Sequence, residues 1–117
     1  MFLALMAASL ASIPVAAADK ADLRCVAIFS LMASEMPEEK AGMTGAIMFY
    51  IGRIEGRGAG LDLQTELNRA IEDLGVSGDV IETEAKRCGG EMMVKGEEVE
   101  RMGNAMADDP PERSGKK

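Results

Sequence analysis

Few residues of this 117-residue chain could do chemistry: two cysteines, a glycine-rich turn, clustered carboxylates and ten methionines. Cys25 and Cys88 lie far apart, with no CxxC spacing and no histidine in the chain, so neither a redox pair nor a zinc site fits them. Gly56-Arg-Gly-Ala-Gly60 offers backbone N–H groups to a phosphate. A P-loop, however, ends in Gly-Lys-Ser/Thr and a dinucleotide loop follows a strand, whereas this segment follows a helical pattern and reads as a turn. Glu35, Glu38 and Glu39, and later Glu97, Glu98 and Glu100, are close enough in sequence to form acid/base pairs. No apolar pattern would bury them and shift their pKa, and they read as solvated helix faces. Asp108 and Asp109 lack the alternating ligands, central glycine and distal glutamate of an EF-hand loop. The methionines of the first and last helices have two readings, gap-filling core and adaptable binding groove, with core filling the stronger. No catalytic, cofactor-binding or metal-ligating residue is assigned, no cofactor is expected, and the chain is not read as an enzyme.

Composition narrows the field further. The absence of His removes the commonest general base and zinc ligand. Twenty acidic against 13 basic side chains give a formal charge of −7, and the cations are scattered, which argues against a nucleic-acid partner. With no Trp, one Tyr and three Phe, an aromatic cofactor cage is not expected. The core must come from aliphatic side chains and thioethers.

Residues Met1 to Ala18 are apolar with small residues at the end, and Ala16-x-Ala18 is a cleavage signal, so the mature chain is expected to begin at Asp19. The basic residues usual near the start of a leader are missing. An uncleaved anchor is the alternative, but the run is short for a bilayer and carries Ser9, Ser12 and Pro14. Export implies an oxidising compartment, periplasmic or extracellular, in which Cys25 and Cys88 are expected to pair.

Four helices are needed to position these residues. The first is expected from about Ala21 to Met36, with Cys25, Phe29, Met32 and Met36 at helical spacing, and Pro37 ends it. The second runs from Pro37 to about Gly56 on a Met43, Ile47, Tyr50, Ile54 stripe. Its glycines, Gly42, Gly45, Gly52 and Gly56, share one line with Phe49 and predict a close helical neighbour, unless this helix is weak or broken. Asp62 should cap a third helix carrying Leu63, Leu67, Ala70, Ile71 and Leu74, stopped by Gly75. The fourth opens at Asp79 and reaches about Ala107, with Ala85, Gly89, Met92, Gly96, Val99, Gly103 and Met106 as a heptad seam and Gly89-Gly90 as the expected kink. The two glycine lines are expected to face each other, burying Gly52 and Gly96. Residues 108 to 117 read as a disordered polar tail. The fold expected is all-α: a small four-helix bundle over residues 19 to 107, with a disulfide from helix 1 to helix 4.

Tyr50-Ile-Gly-Arg53 and Arg87-Cys-Gly-Gly-Glu-Met92, followed by Lys95-Gly96 and Met102-Gly103, resemble segments of small, uncharacterised secreted proteins of proteobacteria. In overall plan the chain is similar to the Hde-type periplasmic acid-stress chaperones, although the interval between its cysteines is longer and Phe49 or Tyr50 stands where that family has tryptophan. The function expected is a non-enzymatic exported protein that binds polypeptides or envelope components through apolar surface, under acid stress on the Hde-type analogy. The alternative is a structural or accessory subunit of an envelope complex, with the glycine seam against a partner helix. Neither reading leaves an integral membrane protein after cleavage.

Overall fold

A computed structural model describes residues 14–75 and 78–108. Four α-helices follow one another: α1 (Ala17–Glu35), α2 (Lys40–Gly56), α3 (Leu63–Leu74) and α4 (Gly78–Asp108), with a 3-10 turn at Pro37–Glu39 before α2. There is no strand among the described residues. The start of the expected leader and the polar tail from Asp109 lie outside them, as do residues 76 and 77.

Local chemistry explains the boundaries. Met36, directly before Pro37, leaves the helical region at φ −125° and ψ 75°, and α1 stops there. The glycine-rich segment after α2 is the expected turn, since Gly58 (φ +75°) and Gly60 (φ +67°) both occupy the left-handed region. Asp62 caps α3, its Oδ1 accepting from the Thr65 N–H at 3.3 Å and its Oδ2 from the Thr65 hydroxyl at 3.0 Å. Gly75 ends α3 with its N–H on the Ile71 carbonyl, but at φ −67° it does not use the left-handed freedom of a glycine stop. At the N-terminus, α1 begins at Ala17, four residues earlier than periodicity suggested and on the leader side of the Ala18–Asp19 bond.

The core forms around α1. Leu23, Cys25, Val26, Ala27, Ile28 and Phe29 are buried against Ala46, Tyr50 and Ile54 of α2, Ala70 and Leu74 of α3, and Cys88 of α4. A helix apolar on nearly all sides is the one that can sit in the middle, and the other three surround it. The disulfide joins Cys25 to Cys88 across a Cα separation of 5.5 Å, as the cysteine positions predicted. Closing so long a loop contributes about 4 kcal/mol in the chain-entropy account.

Two expectations about packing are corrected. The glycine lines of α2 and α4 do not face each other: Gly42, Gly45, Gly52, Gly56, Gly96 and Gly103 all have open space where a Cβ would stand. The physical reason is the course of α4, which meets the core only through its first half. Cys88 is its one buried residue, Ala85 and Met92 pack partly against the core, and the helix then continues unbroken through Gly89-Gly90 to Asp108. The last 16 residues, Met93 to Asp108, extend about 24 Å beyond that contact at 1.5 Å per residue. The methionines divide accordingly. Met32, Met43 and Met92 fill gaps at the core edge, whereas Met93, Met102 and Met106 are exposed.

Candidate functional site

One polar cluster is built into the core. α1 brings Asp19 and Asp22, each only 1% exposed; α2 brings Tyr50, Arg53 and Arg57; and α4 brings Glu91 beside the disulfide. The helical spacing of three or four residues puts Asp19 and Asp22 on one face of α1 and Tyr50, Arg53 and Arg57 on one face of α2. Arg53 donates from Nε to Asp22 Oδ2 at 3.0 Å and from Nη2 to Glu91 Oε1 at 2.9 Å. The Nη1 group of Arg57 lies 2.7 Å from Asp19 Oδ1 and 2.8 Å from Asp22 Oδ2. The guanidinium of Arg53 also lies over the rings of Phe49 and Tyr50, 5.2 and 5.4 Å from their centroids. Phe49 meets Tyr50 edge-on and Phe29 stacks on it from α1. The Tyr50 hydroxyl donates to the Cys88 carbonyl at 3.3 Å, and Arg87 donates to the Ala21 carbonyl.

The electrostatics of this cluster favour holding over proton transfer. Burial desolvates Asp22 and pushes its pKa up, but hydrogen bonds from Arg53 and Arg57, together with their charge, outweigh this and hold the carboxyl below its ordinary range. Burial, reinforced by the Glu91 carboxylate, pushes the Tyr50 phenol up. An acid this strong and a phenol this weak exchange no proton near neutrality. What the arrangement does is tie α1, α2 and α4 together at one point.

Of the sequence-predicted residues, the cysteines and Arg57 of the glycine-rich segment fall at the cluster, and the carboxylates fall elsewhere. Glu35, Glu38, Glu39, Glu97 and Glu100 are exposed and Glu98 pairs with Lys95, as solvated faces should. Asp108 is exposed at the end of α4 and Asp109 lies outside the described residues. Among the described residues no group of three His, Cys, Asp or Glu is placed to hold a metal ion. Sequence reasoning missed Asp19, Asp22, Arg57 and Glu91 as partners. A signal was present for two of the three segments, because Tyr50-Ile-Gly-Arg53 and Arg87-Cys-Gly-Gly-Glu-Met92, quoted above for their resemblance, meet in this cluster.

A second feature is the uncovered part of α4. At 100° per residue, Cys88, Met92, Gly96, Val99, Gly103 and Met106 share an arc of about 80°. The stripe that is covered at Cys88 and Met92 therefore continues exposed, among the described residues, through Gly96, Val99, Gly103 and Met106. Val99 and Met106 are 61% and 62% exposed, and Met102 borders them on one side. Glu97, Arg101 and Asn104 occupy the opposite face. Two of the clefts among the described residues lie beside α3. One of about 250 Å³ separates α1 from α3 beside Lys20, Arg24, Glu66 and Arg69. The other, about 150 Å³, is apolar and lined by Leu23, Val26, Ile51, Ile54 and Leu67. Both are below the roughly 300 to 1,000 Å³ of ordinary small-molecule sites.

No protein-family model, curated protein or solved structure matches this chain.

Proposed function

We propose that this is an exported, non-catalytic protein that binds other polypeptides through the apolar face of the distal half of α4. The observation carrying this reading is the exposed stripe of Val99, Met102 and Met106 on a helix whose other half is pinned by the disulfide. Contiguous exposed apolar surface on a folded domain marks an interaction site more often than chance decoration. Its composition suits a helical or unfolding apolar segment: thioethers adapt to irregular partners, and Gly96 and Gly103 let a partner backbone approach closely. The disulfide and the absence, among the described residues, of a helix long and apolar enough to cross a membrane are compatible with an exported location after leader cleavage. Periplasmic or extracellular residence is part of the proposal.

Binding under acid stress is the finer form of the proposal, following the similarity of plan to the Hde-type chaperones. Below about pH 3 most carboxylates are protonated, and the 13 Lys and Arg make the domain strongly cationic. As the pH falls through the depressed range of Asp22, the cluster loses the carboxylate that its two arginines share while the disulfide still holds α1 to α4, so apolar surface is added to that already exposed on α4. A second reading, a dedicated accessory subunit, is favoured by the glycine spacing of the seam, which fits one helical partner better than many clients. The test is suppression of aggregation of several unrelated unfolding proteins at pH 7 and at about pH 2 to 3, with wild type and the Val99→Asp/Met106→Asp variant. Protection that is strongest in acid and lost in the variant supports client binding. No protection at either pH leaves the subunit reading.

A further inference from the structure

The exposed face of α4 is complementary to itself. Beyond Met93 its stripe runs Gly96, Val99, Gly103, Met106, so glycines alternate with larger apolar side chains at intervals of three, four and three. Turned end for end, that series keeps its intervals and exchanges its glycines for its larger residues. Two copies of α4 laid antiparallel about residue 101 therefore place Val99 opposite the second copy's Gly103 and Met106 opposite the second copy's Gly96, with the reciprocal pairs following by symmetry. Both glycines have open space where a Cβ would stand, which is the hole that such a knob needs.

The covered half of the helix fixes the direction. Cys88 and Met92 lie on the same arc as the stripe and are covered by the protein's own core. A parallel pair would bring two cores to the same end, between the helices, and hold the stripes apart. An antiparallel pair carries the cores to opposite ends. In the register above, the second copy's Asp108 comes level with Val94, just short of Met92, so the distal halves overlap over about 22 Å and stop where each core begins. On one flank Met102, 53% exposed, meets its own counterpart beside the two-fold axis. On the other flank Glu100 meets its counterpart, which weakens the pair. A helix pair of about four turns buries on the order of 1,000 Å² in total, the lower limit for a specific interface.

We infer that the resident partner of the distal α4 face is a second copy of this chain, in an antiparallel two-fold pair that sets Gly96 and Gly103 opposite Met106 and Val99. This rests on the reading of that face as an interface and supplies its occupant when no client is present. An interface of this size gives a weak dimer, with a dissociation constant on the order of micromolar or above, and a tighter-binding client displaces the second copy.

The test is sedimentation of the oxidised protein, purified after export, at neutral pH without client, from about 1 µM to about 1 mM. Wild type should pass from monomer to dimer and stop there, because a two-fold contact closes. Val99→Asp/Met106→Asp changes two exposed sites, so it should keep its helical circular dichroism and stay monomeric throughout. Glu100→Lys tests the direction. In the antiparallel pair residue 100 meets itself, so an equal mixture of wild type and Glu100→Lys should dimerise several-fold more tightly than either protein alone. In a parallel pair Glu100 would face Lys95, and the mixture would be weaker than wild type. A wild type monomeric at every concentration, assembly beyond a dimer, a dimer indifferent to the two aspartates, or a mixture no tighter than wild type overturns the inference. The aggregation assay decides the client reading separately. Client protection by a protein that stays monomeric defeats the inference alone, and a closed dimer that protects no client defeats the client reading alone.

Discussion

Replacing Asp22 by Asn removes the carboxylate that two arginines share while keeping its size. Arg53 Nε donates to it at 3.0 Å and Arg57 Nη1 lies 2.8 Å away, and the Asp22 side chain is 1% exposed. Removing one partner of a fully buried ion pair costs about 3 to 5 kcal/mol, because the other charge is left uncompensated. Here the Arg53 and Arg57 side chains are 34% and 32% exposed and keep Glu91 and Asp19, so water and the surviving partners recover part of that cost. About 2 to 3 kcal/mol remains after discounting for this exposure. At 4 to 8 °C per kcal/mol for a domain of this size, the midpoint should fall by about 10 to 20 °C. The assay is thermal unfolding by far-UV circular dichroism with the disulfide intact. Glu82→Gln is the control, since it breaks only the exposed pair with Lys86 and should change stability by less than about 0.5 kcal/mol. If Asp22→Asn and Glu82→Gln shift the midpoint equally, the cluster does not tie the helices together and the argument for it fails.

Three further outcomes follow from the same structure. The gap between wild type and Asp22→Asn should depend on pH: a carboxyl held below its ordinary range stabilises fully above about pH 4 and loses that contribution as the pH falls through its folded value, so urea midpoints of the two proteins should approach each other near pH 2. Gly52→Ala and Gly96→Ala should each stabilise by about 0.5 to 1 kcal/mol in chemical unfolding, because a methyl group meets open space at both sites and helix propensity decides the sign. Replacing both cysteines by Ser should cost roughly 4 kcal/mol, and it should free α4 more than α1 to α3 in hydrogen exchange, since Cys88 is the one buried residue of α4.

Much of this fold was legible in the sequence, and the parts that were not share a cause. Apolar periodicity located the stripe Met43, Ile47, Tyr50, Ile54 and the two cysteines, because burial of a helix face leaves a repeat in the sequence. Periodicity cannot say how far a partner extends along that face. The seam of α4 therefore reads as covered to Met106, whereas among the described residues the core ends near Met92. The glycines misled for a related reason. A line of small residues fits close packing and an open face equally well, and only the path of the neighbouring helix distinguishes them. The Asp22–Arg53 pair joins positions 31 residues apart, and no local pattern links such residues. The quoted Tyr50-Ile-Gly-Arg53 segment was the one sign that Arg53 had a special place.

The central claim, that the distal face of α4 takes up other polypeptides, is tested most directly by its own methionines. With methyl groups of the eight methionines that follow the leader labelled for NMR, an unfolded client should be titrated into the oxidised protein at pH 7 and again in acid. The account predicts that Met102 and Met106, exposed on or beside the seam, shift or broaden first at pH 7, while Met32 and Met43, packed against the core, do not move. Client binding that perturbs Met32 and Met43 and leaves Met102 and Met106 unchanged would contradict it.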